Sequence, residues 1–243
     1  MVQIGCVVKF ILYVNDIMNK IDKIKNWYEE LPSKMKTAVK PDKNFNKHLV
    51  SPESMILLIG PTGSGKSNWI LEFLDRKVNA FFDIIIFSGS FTDEPMYNYL
   101  KSKIKDLQLI DDLDLMPTLD DLKEIDRKER LLIFDDSINL PRNKMDEIKK
   151  VFMSARKKGF TVIFVSQKFT TIPIFIREQV NYIILFKIPD DDAVKIILRR
   201  YKMDFKNQDE LLNRYRQITN IKGQFITFDL KLNQIRHNFI QRL

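Results

Sequence analysis

Eight residues, Gly60-Pro61-Thr62-Gly63-Ser64-Gly65-Lys66-Ser67, constrain this chain more than any other stretch. They fit G-x-x-x-x-G-K-[ST] at every required position, the loop whose backbone amides cradle nucleotide phosphates. Three of the chain's seven glycines fall within them. Such a loop needs glycine because its backbone must take positive φ and approach a ligand closely. Successive N–H groups then face one anion, and the helix that follows points its positive end at the same place. Lys66 would reach the β- and γ-phosphates, Ser67 would ligate Mg²⁺, and the binding stretch runs on to Asn68. An accidental match is expected in about one chain in a hundred of this length. The context argues against accident. Met55 to Ile59 reads as a buried strand, and Trp69, Ile70, Phe73 and Leu74 mark one face of a helix.

A second landmark is Leu131-Leu132-Ile133-Phe134-Asp135-Asp136-Ser137, an apolar strand ending in two carboxylates. Asp135 suits a Mg²⁺ ligand at a strand end beside the loop. Asp136, on the opposite side of an extended chain, suits polarisation of an attacking water, the other reading being a helix-capping or turn carboxylate. A third strand, Thr161 to Val165, ends at Ser166-Gln167. By position alone Gln167 is either a surface glutamine or a group that senses the γ-phosphate.

Further strands are expected at Phe82–Phe87, buried on both faces, and at Tyr182–Phe186. Gln224–Leu230 and Gln234–Phe239 suit a terminal hairpin. Helices are expected from Met96, Leu100 and Ile104, from about Asn143 to a stop at Gly159, and after Pro173. Two more are expected after Asp190 and over 208–217. Thr118 followed by Asp121 resembles a helix cap, and Asp111 to Asp126 reads as an acidic connector. Pro41 to Lys47 reads as a loop, preceded by a short helix carrying Ile21, Ile24, Trp27 and Tyr28. Strands alternating with helices predict an α/β sandwich with a mostly parallel sheet, and ligands bind beyond the carboxyl ends of its strands.

The length of 243 residues suits one such domain, expected over 49–243, behind a lysine-rich extension over 1–48. A formal charge of +8 makes a polyanion a suitable partner, but an AT-rich genome that favours lysine codons would give the same charge without one. One cysteine, Cys6, excludes an internal disulfide and fits a reducing compartment. The apolar run Ile4 to Val14 is too short to span a bilayer and lacks the flanks of a secretory signal, and a start at Met18 would omit it. No membrane partner is expected. His48 and His237 have no partner pattern, and neither G-x-S-x-G nor H-E-x-x-H occurs.

Together GPTGSGKSN (60–68), LLIFDDS (131–137) and SARKKGFTVIFVSQKFTTIP (154–173) resemble the FtsK–HerA superfamily of DNA-pumping ATPases. Within it they look most like the genome-packaging ATPases of poxviruses, other large DNA viruses and virophages. The match is strongest over Leu49 to Leu198. The resemblance implies a P-loop NTPase fold with core strand order 5-1-4-3-2 and an extra strand between the two landmark strands, supplied by Phe82–Phe87. It implies ATP and Mg²⁺ as ligands, double-stranded DNA as substrate, a pentameric or hexameric ring, and contact with capsid proteins. It places the protein in the infected cell's cytoplasm, in the virus factory, or in the virion. It makes Gln167 part of the site and Arg156, at the family's Ala-Arg position, the arginine that completes a neighbour's site, with Arg177 as second candidate. Ser88–Pro95 and Lys168–Thr171 are candidate pore loops. A replication-type helicase, or a nucleotide-binding assembly module with little turnover, remain alternatives.

Overall fold

The computed structural model describes residues 25, 30–32, 42–88, 95–122, 128–137, 140–201, 203, 205 and 207–243. The chain divides into two compact units, Met1–Lys36 and Thr37–Leu243. Of the first, the described residues include an ion pair, Lys25 with Glu30 at 2.6 Å. The apolar run at Ile4–Val14, nearly all of the helix expected around Ile21–Tyr28, and most of Ser88–Pro95 lie outside the described residues.

In the second unit, strands alternate with helices as the apolar pattern predicts. The strands are β1 (Met55–Ile59), β2 (Phe81–Ser88), β3 (Leu107–Ile110), β4 (Glu129–Asp135) and β5 (Phe160–Ser166). They continue with β6 (Tyr182–Leu185), β7 (Ile226–Asp229), β8 (Gln234–His237) and β9 (Gln241–Arg242). The helices are α1 (Phe45–His48), α2 (Lys66–Arg76), α3 (Pro95–Lys103), α4 (Arg142–Ser154), α5 (Ile174–Gln179), α6 (Asp191–Arg200) and α7 (Gln208–Thr219). Pro41–Lys47, expected as a loop, therefore ends in a short helix, α1. Among the described residues, the nine strands form one sheet in the order β3-β2-β4-β5-β1-β6-β7-β8-β9.

Counting only the strands expected from sequence, β6-β1-β5-β4-β2 is the order 5-1-4-3-2. The sheet is wider than that. β3 pairs parallel to β2 beyond the expected edge, and the C-terminal strands add antiparallel to β6. The extra strand at Phe82–Phe87 lies between the landmarks in sequence but not in the sheet, where β5 fills the place between β1 and β4. Nor is it buried on both faces throughout. Phe82 is exposed, with the Lys128 ammonium 4.1 Å from its ring centroid, and burial begins at Ile84 after a register shift.

β1 shows why a continuous apolar run makes a central parallel strand. Leu57 and Ile59 face a core shared with Phe134, Phe164, Ile148 and Val151, while Ile56 and Leu58 face Trp69, Ile70, Phe73 and Ile133. Each such side chain is worth roughly 1.5–3 kcal/mol when fully buried. Trp69 stacks between Phe73 and Phe239, at 5.0 and 5.5 Å, so the helix after the phosphate loop carries the terminal hairpin directly.

Punctuation falls where the residue chemistry demands it. Asp190 accepts from the amides of Asp192 and Ala193 and starts α6. α4 tightens into a 3₁₀ turn, Ala155–Lys158, that stops at Gly159 with φ 78°. Thr118 and Asp121 do not start a helix among the described residues. The threonine amide and hydroxyl both donate to Asp121 Oδ2, at 2.8 and 2.7 Å, and close a turn. In α3 the buried face is Tyr97 and Leu100, one position later than Met96 would set it.

Candidate functional site

The carboxyl ends of β1, β4 and β5 open into a cleft of about 740 Å³. The ladder continues past β1. Gly60 N donates to Ser166 O at 3.1 Å, and Phe186 N to Ile59 O at 2.9 Å. The first loop residue is thereby fixed beside Ser166, and Gln167 follows at the cleft. On β4, Asp135 is in register with Ser88 of β2, and Ser137 Oγ donates to Asp135 O at 3.0 Å to close the strand end. Two strand spacings, about 10 Å, separate β1 from β4, a gap a triphosphate can span. Thr62 to Asn68, Asp135, Asp136 and Gln167 all line this cleft.

The loop itself has the shape of an anion nest. Gly65 precedes α2 at φ 109°, a conformation closed to other residues without strain, and a Cβ there would come within 3.3 Å of the Phe186 ring. Ser64 Oγ is buried with no hydrogen-bond partner among the described residues. Lys66 Nζ donates to the loop's own carbonyls, Gly60 O at 2.8 Å and Pro61 O at 3.1 Å. An orphaned hydroxyl and a lysine satisfied only by local carbonyls are what a cradle for phosphate oxygens leaves when it closes on itself. Burial pushes the Lys66 ammonium below its ordinary pKa, and the charges of Asp135 and Asp136 oppose that.

The two acids sit in different environments. Burial chiefly pushes Asp135 above the usual carboxylate range, and the charge of Asp136 adds to this. A hydrogen bond from Tyr97 and the charge of Lys66 pull the other way. Tyr97 Oη donates to Asp135 Oδ2 at 2.5 Å, from a ring only 2 % exposed. Sequence reasoning passed over Tyr97. The signal was its helical spacing to Leu100, which names the buried face of α3. Asp136 does not continue the strand. At φ 47° it turns into the left-handed region, so the backbone turn, and not strand alternation, separates it from Asp135.

Arg156 lies elsewhere. It sits in the 3₁₀ turn before β5, at the amino end of a seven-residue strand, which puts it about 20 Å from the cleft of its own chain. It is exposed and makes no ion pair among the described residues. Arg177 is half-buried in α5, its guanidinium 4.9 Å from the Phe169 ring centroid, and its carbonyl accepts from Tyr201 Oη at 3.4 Å. Packing thus occupies Arg177 in a way that leaves Arg156 untouched. Lys168 is exposed between buried Ser166 and Phe169, and its carbonyl accepts from Ser166 Oγ and Thr171 Oγ1, both at 3.0 Å. His48 and His237 are in use structurally, beside Asp42 at 2.9 Å and Gln224 at 2.8 Å.

Comparison with known proteins adds three findings. The model of a family described as "Poxvirus A32 protein" matches residues 42–224. A search of curated proteins found no significant match. Among solved structures, the fold is similar to the genome packaging NTPase B204 of Sulfolobus turreted icosahedral virus 2, solved with ATP-gammaS. The TM-score is 0.55 at 16% identity, covering 76% of this chain and 97% of that one. B204 of Sulfolobus turreted icosahedral virus, described as a DNA-packaging ATPase, gives 0.54 at 14%, covering 77% and 97%. The pCW3 conjugation coupling protein TcpA with ATPgS gives 0.53 at 15%, covering 85% and 71%. At these identities the likeness is one of fold.

Proposed function

The chain belongs to the poxvirus A32 protein family, and on that premise we propose that it hydrolyses ATP to drive double-stranded DNA into a viral capsid. One observation carries the enzymatic part: the phosphate loop, both aspartates and Gln167 meet in a single cleft at adjoining strand ends. The likeness to packaging NTPases solved with ATP analogues supports the choice of nucleotide. The family places the work in an infected cell, and no helix among the described residues is long and apolar enough to cross a membrane.

Lys66 leaves the carbonyls of Gly60 and Pro61 for the β- and γ-phosphates, an exchange of neutral acceptors for charged ones that favours the bound state. Ser64 Oγ gains the partner it lacks. Ser67 and Asp135 would hold Mg²⁺, which supplies positive charge to the phosphate oxygens. The phenol of Tyr97 fixes which Asp135 oxygen faces the cleft. Asp136 accepts the proton of the attacking water, and Gln167 orients that water or the γ-phosphate. Arg156, remote from its own cleft, serves a neighbour's nucleotide in a ring of subunits. An arginine so placed can be worth about 10³-fold in rate.

The test is ATP turnover by size-fractionated oligomers, with and without duplex DNA. Duplex DNA should stimulate hydrolysis, and the stimulation should fade as salt rises because phosphate contacts dominate a sequence-independent grip. Turnover that ignores DNA at every salt concentration would leave a nucleotide-binding assembly module as the better reading.

A further inference from the structure

One wall of the cleft comes from none of the sequence landmarks. The turn between α7 and β7 brings Lys222 and Gly223 to the phosphate loop. The approach is close, since a Cβ on Gly65 would lie 3.6 Å from Gly223 Cα. Phe186 underlies both, its ring meeting the same Gly65 position at 3.3 Å and standing 5.3 Å from the Phe225 ring.

The turn is held from several sides. Asn220 N donates to Arg216 O at 3.0 Å, and Asn220 Oδ1 accepts from Lys187 Nζ at 2.9 Å. Gln224 N donates to Ile221 O at 3.1 Å. Gln224 Oε1 lies 2.8 Å from His237 Nε2 and accepts from Asn238 Nδ2 at 2.5 Å. Gly223 takes φ 84° to complete it. Lys222 stands out from this fixed backbone. Its side chain is exposed and makes neither an ion pair nor a hydrogen bond among the described residues, while the nearby Lys187 is already engaged. A lone ammonium on a rigid turn, beside the amide nest and Lys66 in a cleft that also holds Asp135 and Asp136, suits the polyanionic part of a ligand seated in that nest.

We propose that Lys222 binds the polyphosphate of the nucleotide held by its own chain, as a second lysine beside Lys66. The proposal rests on nucleotide binding at the phosphate loop. The nucleotide then ties that loop to the C-terminal turn, and through Gln224, His237 and Asn238 to the terminal hairpin. Calorimetric titration of the full chain, its Lys222→Ala and its Lys222→Arg variants with ATP, AMP and inorganic tripolyphosphate tests this. Lys222→Ala should weaken ATP and tripolyphosphate alike by about tenfold and leave AMP nearly unchanged, and Lys222→Arg should restore both. Weaker ATP with unchanged tripolyphosphate would move the contact to the nucleoside and overturn the proposal, as would unchanged binding of all three. A wild type that binds neither ATP nor tripolyphosphate would instead bring down the phosphate-loop reading beneath it. Because Lys222 is exposed, the variants should melt with the parent.

Discussion

At the scale of single residues, the site combines one conformational oddity with one buried contact. Asp136 holds φ 47°, which aspartate and asparagine tolerate better than other non-glycine residues. Asp136→Asn therefore removes the charge while keeping the turn. It should lower ATP turnover by about 10²-fold or more while nucleotide affinity and melting temperature hold. Steady-state kinetics with a binding titration checks this, and full turnover in the variant would sink the proton-acceptor role. Asp135 gives a pH prediction. Its carboxyl is raised by burial and held down chiefly by the Tyr97 phenol. A raised carboxylate takes up a proton as the pH falls, sooner than an ordinary one. Apparent Mg²⁺ affinity should then weaken as the pH falls, beginning at a higher pH than an ordinary carboxylate would set. Tyr97→Phe removes the group that opposes the shift, so the midpoint should move to higher pH. Mg²⁺ titrations of ATPase activity across pH measure it, and a midpoint unmoved or lowered would count against Asp135 as the ligand.

At the scale of elements, the strands and helices around the phosphate loop were readable because their signals are local. An apolar run, a glycine-rich break and a 3.6-residue stripe each fall within a few residues. Gly159 shows the same economy: it stops the 3₁₀ turn, and a Cβ there would meet Lys128 O at 2.9 Å. Gly159→Ala should destabilise the fold by roughly 1–2 kcal/mol or more through left-handed strain alone. Denaturant unfolding would reveal it. What stayed hidden were contacts between distant segments. Tyr97 meets Asp135 across 38 residues of chain, and one helical step of phase error pointed to Met96 instead. Leu107–Ile110 is too short and too partly buried to stand out as a strand, and its pairing with β2 makes it one. At the far edge, Asp229 and Arg236 form a pair 0 % and 1 % exposed, with 3.0 Å between Oδ2 and the guanidinium. Asp229→Ala would leave a buried, uncompensated arginine at a cost of about 3–5 kcal/mol. Melting should show that loss, and a change within 1 °C would deny the pair a structural role.

At the scale of the whole molecule, the sheet separates chemistry from support. Its carboxyl end carries the cleft. Its amino end is braced by Lys77 with Glu129 and Arg130 with Asp83, both at 2.6 Å. Arg156 belongs to that second end, so any catalytic role for it requires another copy of the chain. Arg156→Ala should bind ATP normally yet suppress wild-type activity out of proportion when the two are mixed. Activity that tracks the wild-type fraction linearly at all ratios would exclude a role between subunits. The sequence supplied the family position of Arg156 but not its distance from its own cleft, because that distance is set by the length and direction of β5. The wall formed by Lys222 was likewise invisible, since no local pattern says that a turn far downstream will fold back against Gly65.

Trp69 stacks on Phe239 two residues beyond Ser67, and that geometry gives the protein an optical gauge of its own. The chain has two tryptophans, so replacing Trp27 by phenylalanine would leave a single indole emitter. Its fluorescence should shift on adding ATP when the helix and the hairpin slide past one another, and stay constant when they travel as one piece. A spectrometer could thus follow any such movement without an attached dye.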